Sequence, residues 1–157
     1  IPFSSHSSKS LYVKDHPKSM VSESIRTLRT NLDFFTSGQS KKIITISSTI
    51  SGEGKSFLAM NLSAVLAMSK KKVVLLDLDM RKSKNDSFFN TPDDSRGMST
   101  ILIQKHSWRD CVVPTEVENL DFIPAGPHPP NPSELLMNGD FSDLIAELKP
   151  EYDFIVM

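Results

Sequence analysis

The chain has 157 residues, 38% of them hydrophobic and 24% charged, which allows one domain with a buried core. A net charge of −1 argues against a nucleic-acid partner, because a duplex-binding protein carries a strongly basic face. The single cysteine excludes an intrachain disulfide, and the sequence has no zinc-ligand spacing, no signal peptide and no apolar stretch long enough to span a bilayer.

The first part of the chain divides into an arm and the start of a domain. Residues 1–17 are rich in Ser, Lys and Pro, so we interpret them as a linker or arm, either solvated or in contact with a membrane surface or an acidic subunit face. We expect one domain over 18–157. Helical spacing of apolar residues predicts a docking helix over 19–35, and residues 41–47 are predicted as the first core strand.

The rest of the chain alternates between predicted helices and strands. Residues 56–69 are predicted as a helix packed on the sheet, 72–76 as a strand buried on both faces, and 77–96 as a long polar loop that is mobile without ligand. A strand over 120–123 and an amphipathic helix over 141–148 follow. This order predicts a three-layer α/β fold with a mostly parallel sheet and right-handed crossovers.

The most informative segment is SSTISGEGKS, which lies between a predicted strand and a predicted helix. Glycines at 52 and 54 allow successive N–H groups to point at phosphate oxygens, next to the positive N-terminal end of the helix. Lys55 would reach the β- and γ-phosphates of a nucleotide, and Ser56 would offer its hydroxyl to magnesium.

This phosphate loop departs from the usual pattern G-x-x-x-x-G-K-[ST] at one position. Thr49 stands where the first glycine would be, and a non-glycine residue is acceptable there if it avoids positive φ. The alternative interpretation is an ordinary Gly/Ser-rich turn between a strand and a helix.

Two carboxylates follow the buried run at 72–76. Asp77 and Asp79 would lie at the carboxyl end of a parallel strand, the edge where open α/β sheets bind ligands. Since side chains alternate along an extended chain, both could face one side and share a magnesium ion with its waters. The alternative is an acidic exit from the strand that pairs with Arg81 or Lys82.

Four segments together resemble the bacterial tyrosine kinases of capsule and exopolysaccharide synthesis. They are similar to that family's oligomerisation motif E-x-x-R-x-x-R, its Walker A loop, its Walker A′ motif and its G-x-x-P-P-N-P-x-E-L-L loop, at 22–29, 49–56, 73–81 and 124–136. The similarity runs from about Pro17 to the last residue, so it is much more specific than one phosphate loop.

The resemblance implies an ATP-dependent protein-tyrosine (auto)kinase that regulates polysaccharide synthesis and export, with ATP and Mg²⁺ as its cofactors. Its catalytic residues would be Lys55, Asp77 and Asp79. Ser56 would bind the metal directly, Asp77 would bind it or activate the tyrosine hydroxyl, and Asp79 would hold it through water. The implied nucleotide-binding residues are Ser51, Gly52, Glu53, Gly54, Lys55, Ser56, Phe57 and Arg81.

The resemblance also implies partners. The resemblance places Glu23, Arg26 and Arg29, at i, i+3 and i+6 on a helix, between neighbouring subunits of a ring, whereas their spacing alone favours a solvated helical face. A membrane-spanning activator, fused or separate, and tyrosine-bearing protein substrates are implied as well. The domain would then work in the cytoplasm at the inner face of the cell membrane.

The C-terminus departs from the family pattern. Residues 151–157 resemble the approach to a Walker B strand, but its aspartate is not in the sequence, nor is a tyrosine-rich tail. Tyr12 and Tyr152 are the only tyrosines. Because the chain also begins with Ile1 rather than methionine, we expect a piece of a longer protein, incomplete at the C-terminus, whose own activity is open.

Two other functions remain as alternatives. ATPases of the division-site and plasmid-partitioning type share the loop, but their signature lysine is replaced here by Ile50. A nucleotide-dependent assembly module without phosphoryl transfer is the non-enzymatic alternative. The proline-rich segment 127–132 is either a ligand for a partner domain or a stiff wall of the nucleotide cleft, and the next helix would begin at 131–134.

Overall fold

The computed structural model describes residues 11–35, 38, 42–50, 52–81, 89, 91 and 93–157. A five-stranded sheet lies between two layers of helices. The helices are α1 (Tyr12–Asp15), α2 (Met20–Phe35), α3 (Lys55–Met68), α4 (Met98–Leu102), α5 (Pro132–Met137) and α6 (Gly139–Leu148), and the strands are β1 (Lys42–Ile44), β2 (Val73–Leu76), β3 (Val113–Pro114), β4 (Leu120–Ile123) and β5 (Phe154–Val156).

The sheet has the strand order β1-β5-β2-β4-β3. Neighbouring strands are parallel except for β3, which pairs with β4 in the antiparallel direction. In the central register, Val73 lies opposite Leu120 on one side and Phe154 on the other. The predicted α/β class with a mostly parallel sheet is confirmed.

Strand β2 supplies both hydrophobic cores of the molecule. Val73 and Leu75 pack into the core beneath α1, α2 and α3, whereas Val74 and Leu76 pack into the core beneath α4, α5 and α6. All four side chains are at most 1% exposed, as the continuous apolar run predicts. Burying one such side chain stabilises the fold by about 1.5–3 kcal/mol.

Helix α3 is buried along most of its length. Residues 59–67 are all buried, and three alanines, Ala59, Ala64 and Ala67, let the helix approach the sheet closely. Alanine also has the highest intrinsic helix propensity. The helices predicted over 56–69 and over 19–35 are therefore confirmed to within a residue at each end.

The first strand differs from its prediction. The prediction was a core strand over 41–47, but β1 has three residues and lies at an edge of the described sheet, with Ile43 44% exposed. The physical reason is the strand order: β5, from the far end of the sequence, separates β1 from β2. β1 therefore has one neighbouring strand instead of two.

The described part of the segment interpreted as a linker, residues 11–17, includes a helix that packs on the domain. Leu11 and Val13 are 5% and 1% exposed, and α1 packs against α2 and α3. Burial of these two apolar side chains holds the segment to the domain. Residues 1–10 lie outside the described part, so the division into an arm and a domain stays a prediction there.

The segment between β2 and β4 contains elements that the sequence did not predict, namely α4, a 3₁₀ turn at Trp108–Asp110 and β3. Part of the loop predicted to be mobile over 77–96, namely 82–88 together with 90 and 92, lies outside the described residues. Helix α4 joins the strand β4 through its main chain: Met98 N–H donates to Pro124 O at 2.8 Å, and Ser99 N–H to Ala125 O at 2.9 Å.

Two glycines make this contact possible. A Cβ atom on Gly97 would lie 2.5 Å from the main-chain nitrogen of Gly126 and 2.7 Å from its Cα atom. Real Cβ atoms do not approach backbone so closely, so the two segments would have to separate.

We predict that Gly97→Ala lowers the free energy of unfolding by about 1–3 kcal/mol, the range for an overpacked site. Gly139→Ala is the matched control, because nothing lies within 4 Å of a Cβ atom added there, at the start of α6. The control should change stability by less than about 1 kcal/mol. Urea unfolding measures both, and equal effects of the two substitutions would contradict the prediction.

Candidate functional site

The phosphate loop turns into α3 through two glycines in the left-handed region. Gly52 has φ 87° and Gly54 has φ 89°. Gly54 is the N-terminal cap of α3, and its carbonyl accepts the first helical bond from Leu58 N–H at 2.9 Å. The amides of the first helical turn have no partner within a helix, so this geometry presents donors at the start of α3.

The loop is held in shape by its own side chains. The Lys55 ammonium donates to Ser48 Oγ at 3.0 Å, and Ser48 Oγ donates to Ile50 O at 2.9 Å. Ile50 N–H in turn donates to a Glu53 carboxylate oxygen at 3.3 Å. These bonds fold the loop back over the start of α3 and keep Lys55 next to it. Ser51, also predicted to bind nucleotide, lies outside the described residues.

The two predicted aspartates occupy different positions in a tight turn after β2. Asp77 is 3% exposed, and its N–H donates to Ile123 O of β4 at 3.0 Å. Its Oδ1 accepts the N–H of Asp79 at 3.0 Å. Asp77 therefore lies beneath the turn, and Asp79 lies on the side of the turn that faces the cleft described next.

A cleft of about 390 Å³ opens at the carboxyl edge of the sheet. Its polar lining comes from α3, from the turn after β2 and from the start of α5, and its apolar lining surrounds these groups. The lining residues are Ile46, Lys55, Ser56, Leu78, Asp79, Met80, Arg81, Pro132, Ser133, Leu136 and Met157. The structure thus brings four predicted site residues, Lys55, Ser56, Asp79 and Arg81, to one cavity, while Asp77 is not among its lining.

A side-chain hydrogen bond joins the two sides of this cleft. The Arg81 guanidinium donates to Ser133 Oγ at 3.2 Å, which links the turn after β2 to the first turn of α5. Of the proline-rich segment 127–132, Pro132 lines the cleft. The helix predicted to begin at 131–134 begins at Pro132.

Phe57 is placed differently from the other predicted nucleotide contacts. Its ring packs against the core and meets the Tyr12 ring edge-on, with the centroids 5.8 Å apart. Its main-chain amide, in the first turn of α3, is therefore the group of Phe57 best placed to face a nucleotide.

The three predicted interface residues make contacts within the chain. Arg26 donates to Glu23 Oε1 and to Pro17 O, each at 2.5 Å. Arg29 donates to Ser69 Oγ at the end of α3 and lies 3.8 Å from an Asp33 carboxylate oxygen. Glu23 and Arg26 thus form a pair on the exposed face of α2, whereas Arg29 ties α2 to α3. Their role between subunits stays a prediction.

Several lining residues were not found from the sequence. Ser133 and Leu136 contribute to the cleft because the segment that leaves β4 leads to α5 at the same edge. Ile46 and Met157 contribute because the chain pairs there beyond β1 and β5. The sequence signal that could have found them is the start of a helix after the end of a strand, where ligands bind in such sheets.

Within the part of the chain that the structure describes, no helix has both the length and the hydrophobicity that a membrane span requires.

Residues 41–157 match the family model described as an AAA domain. The chain belongs to this AAA domain family. The match begins at β1 and includes the phosphate loop, the turn after β2 and the strand β5.

The relatives of this AAA domain carry a more specific description. The putative tyrosine-protein kinase CapB of Staphylococcus aureus is 41% identical over 147 residues, which are 94% of this chain and 64% of CapB. The kinase domain of the Escherichia coli tyrosine kinase ETK is 30% identical with a TM-score of 0.88, over 99% of this chain and 65% of that one. The predicted resemblance to bacterial tyrosine kinases is confirmed.

A more distant structural relative belongs to another functional class. The septum site-determining protein MinD of Pyrococcus horikoshii, solved with Mg-ADP, is 25% identical with a TM-score of 0.56, over 74% of this chain and 47% of that one. The AAA domain therefore covers a little under two thirds of the kinase structures and relatives named above and about half of MinD.

The second tyrosine of the chain, Tyr152, is part of the hydrophobic core. Tyr152 is 3% exposed, and its hydroxyl donates to Asp121 Oδ2 at 2.8 Å. Burial, followed by the bond to the Asp121 carboxylate, raises the pKa of Tyr152 well above its usual value. The raised pKa favours the neutral hydroxyl in the folded state, where it is enclosed and hydrogen-bonded.

We predict that Tyr152→Phe lowers the free energy of unfolding by about 0.5–1.5 kcal/mol at neutral pH through the lost hydrogen bond. Because the folded-state pKa is raised, the contribution of Tyr152 is fully present below the unfolded pKa of about 10 and declines above it. The difference between the two proteins should therefore shrink as pH rises above about 10. Chemical unfolding from pH 7 to 11 measures this, and a constant difference would contradict it.

Proposed function

We propose that the protein is an ATP-dependent protein-tyrosine kinase that regulates capsular or exopolysaccharide synthesis and export, and that the cleft binds Mg-ATP. The observation that carries the proposal is the meeting of Lys55, Ser56 and Asp79 in one cavity at the start of α3. The similarity to CapB and ETK, which are described as tyrosine kinases, supports the choice of reaction.

The residues present fit a nucleotide triphosphate. Gly52 and Gly54 adopt positive φ values that residues with a side chain rarely adopt. This backbone conformation turns main-chain N–H donors toward the loop interior. The Lys55 ammonium adds a full positive charge on the same side. Amide donors, a lysine and a helix N-terminus form the set of groups that binds phosphate oxygens in proteins.

The residues also fit magnesium. The Ser56 hydroxyl and the Asp79 carboxylate are hard oxygen ligands that line the same cavity. Mg²⁺ keeps several waters and needs only one or two protein ligands besides the phosphates, so a larger protein cage is not required. Among the described residues, no three His, Cys, Asp or Glu side chains come together as an all-protein metal site. When bound, magnesium would neutralise part of the phosphate charge.

The chain would act mainly through electrostatic stabilisation and positioning. Lys55 and the loop amides would stabilise the charge on the transferring phosphoryl group. Asp79 would hold the metal through water from the cleft wall, and Asp77 remains the predicted group that orients or deprotonates the tyrosine hydroxyl. The hydrogen bond from the Asp79 N–H to Asp77 Oδ1 keeps both aspartates in the same turn, next to the cleft.

The acceptor would come from another polypeptide or another segment of the protein. Tyr152 is enclosed and bonded to Asp121, so its hydroxyl cannot enter the cleft without unfolding β5. We propose tyrosines of a neighbouring subunit in a ring, and a membrane-spanning activator that holds the domain at the cytoplasmic face of the membrane. The proposal that Glu23, Arg26 and Arg29 join the subunits belongs with it.

We predict that Lys55→Met abolishes phosphoryl transfer and weakens Mg-ATP binding at least about tenfold, because the ammonium contacts the transferring group. Lys71→Met is the matched control: it makes the same chemical change at an exposed position beyond the opposite end of α3. It should leave both properties unchanged. Transfer of label from radiolabelled ATP to tyrosine in the intact protein measures the reaction, and full labelling by Lys55→Met would refute the assignment.

Measurements of Mg-ATP hydrolysis and of oligomerisation, made beside the transfer assay, separate the alternative functions. Mg-ATP hydrolysis without any phosphotyrosine would favour an ATPase of the MinD type, whose fold and Mg-ADP binding are known from the P. horikoshii protein. ATP-dependent oligomerisation without hydrolysis or transfer would favour an assembly module.

The interface prediction is best tested at Glu23 and Arg26. Their pair is exposed and within the chain, so Glu23→Ala with Arg26→Ala should change the free energy of unfolding by less than about 1 kcal/mol. We predict that this double variant nevertheless lowers the mass of the protein assembly in light scattering. Arg29 is less suitable, since its substitution also removes the bond to Ser69.

The matched control is Lys14→Ala, which removes another exposed ion pair, 2.6 Å to Glu116, away from α2. It should leave the assembly unchanged. An unchanged mass in the double variant, with the fold intact, would exclude these residues as the interface.

A further inference from the structure

Helix α3 carries one buried amide side chain close to the phosphate loop. Asn61 is 0% exposed, and its Nδ2 donates to the carbonyl of Phe57 at 2.9 Å. Its Oδ1 accepts the main-chain N–H of Val13 at 3.0 Å. One side chain therefore connects α1 to the first turn of α3.

This connection is specific because of its surroundings. Leu62, Leu11 and Val13 belong to the same apolar core, where an amide left without hydrogen bonds costs about 1–3 kcal/mol. Asparagine is also a poor residue for a helix interior. Val13 N–H and the Phe57 carbonyl are main-chain groups, so these two bonds fix backbone positions rather than mobile side chains.

A second contact joins the same two elements. The ring of Tyr12 meets that of Phe57 edge-on at 5.8 Å and lies 4.6 Å from the His16 ring. Such aromatic pairs contribute beyond their buried area. Phe57 directly follows Lys55 and Ser56. α1 therefore contacts its ring directly and is linked to its carbonyl through Asn61, next to the proposed phosphate contacts.

We propose that Asn61 is a positioning residue for the nucleotide: by docking α1 onto the first turn of α3, it sets the affinity of the phosphate loop for Mg-bound nucleotide. Tyr12 supports the same docking through Phe57. This inference rests on the proposed function. It adds a means of regulation, because any event that separates α1 from α3 lowers the affinity for nucleotide.

The coupling must act in both directions. If docked α1 favours nucleotide, then nucleotide must favour docked α1 by the same factor, because binding free energies in a cycle are reciprocal. The Val13 N–H reports the docked state directly, since it is the group that donates to Asn61. Lys149 N–H, which donates to Ile145 O on the other face of the sheet, is an internal reference for general stabilisation by ligand.

The first experiment is amide hydrogen exchange of the wild-type protein with and without saturating Mg-ADP. Mg-ADP should slow exchange at Val13 at least about fivefold more than at Lys149, the lower end of typical coupling between sites. Tight Mg-ADP binding with equal changes at the two amides would overturn this inference and leave the proposed function standing. Absence of Mg-ADP binding would overturn the proposed function, and the inference with it.

The second experiment measures Mg-ADP affinity of folded variants by calorimetry. Asn61→Leu keeps the side-chain size but removes both bonds, and should weaken binding at least about fivefold. Ser63→Ala is the matched control on the same helix, because Ser63 is fully buried and its hydroxyl has no hydrogen-bond partner among the described residues.

A milder pair of variants keeps the test valid if Asn61→Leu does not fold. Tyr12→Leu removes the ring contact and should weaken Mg-ADP binding, whereas Tyr12→Phe keeps the ring and should restore it. Equal Mg-ADP affinities for Tyr12→Leu, Tyr12→Phe and the wild type would overturn the inference.

Discussion

The burial of α3 is the constraint on which the proposed site depends. Its residues 59–67 are enclosed between the sheet and the layer of α1 and α2, so the helix cannot shift along its axis without exposing apolar surface. The phosphate loop contributes little to this packing, since Gly52 and Glu53 are exposed. The position of Lys55 and Ser56 is therefore set by packing that lies behind them, and the loop has only to complete the turn.

The parallel sheet meets a second requirement of the site, because it brings segments that are distant in sequence to one cleft. β2 and β4 end at the same edge, so the turn carrying Asp79 and the segment leading to α5 arrive on opposite sides of one cleft. The bond between Arg81 and Ser133 joins groups 52 positions apart in sequence. Neither side could form the cleft alone, and the apolar residues of its lining exclude part of the water that would weaken charge interactions.

Local patterns predicted those parts of the fold and site whose causes are local. The run at 73–76 identified β2 because burial on both faces demands continuous apolar residues. The two glycines and Lys55 identified the phosphate loop because its backbone conformation needs them. The position of Asp77 beneath the turn was not predicted, since its partners belong to β4 and to the turn itself.

Features that depend on contacts between segments distant in the sequence could not be predicted from local patterns. The edge position of β1 follows from the insertion of β5, which is more than 100 residues away in the chain. The docking of α1 was missed because Leu11 and Val13 form too short an apolar pattern to predict a buried helix, and the Asn61 bond to Val13 spans 48 positions. The residues that line the cleft from α5 required the strand order as well.

The contact between Gly97 and Gly126 has a mechanical consequence for the cleft wall. Here main chain rests directly on main chain, and two hydrogen bonds run alongside. No rotamer change can lengthen or shorten this contact, so van der Waals contact and hydrogen bonds between main-chain atoms fix the separation between α4 and the segment that leads from β4 to α5. The segment that leads to the α5 side of the cleft is thus held rigidly. Adjustment to ligands of different size must come from the other side, the turn after β2, from which Arg81 bonds to Ser133.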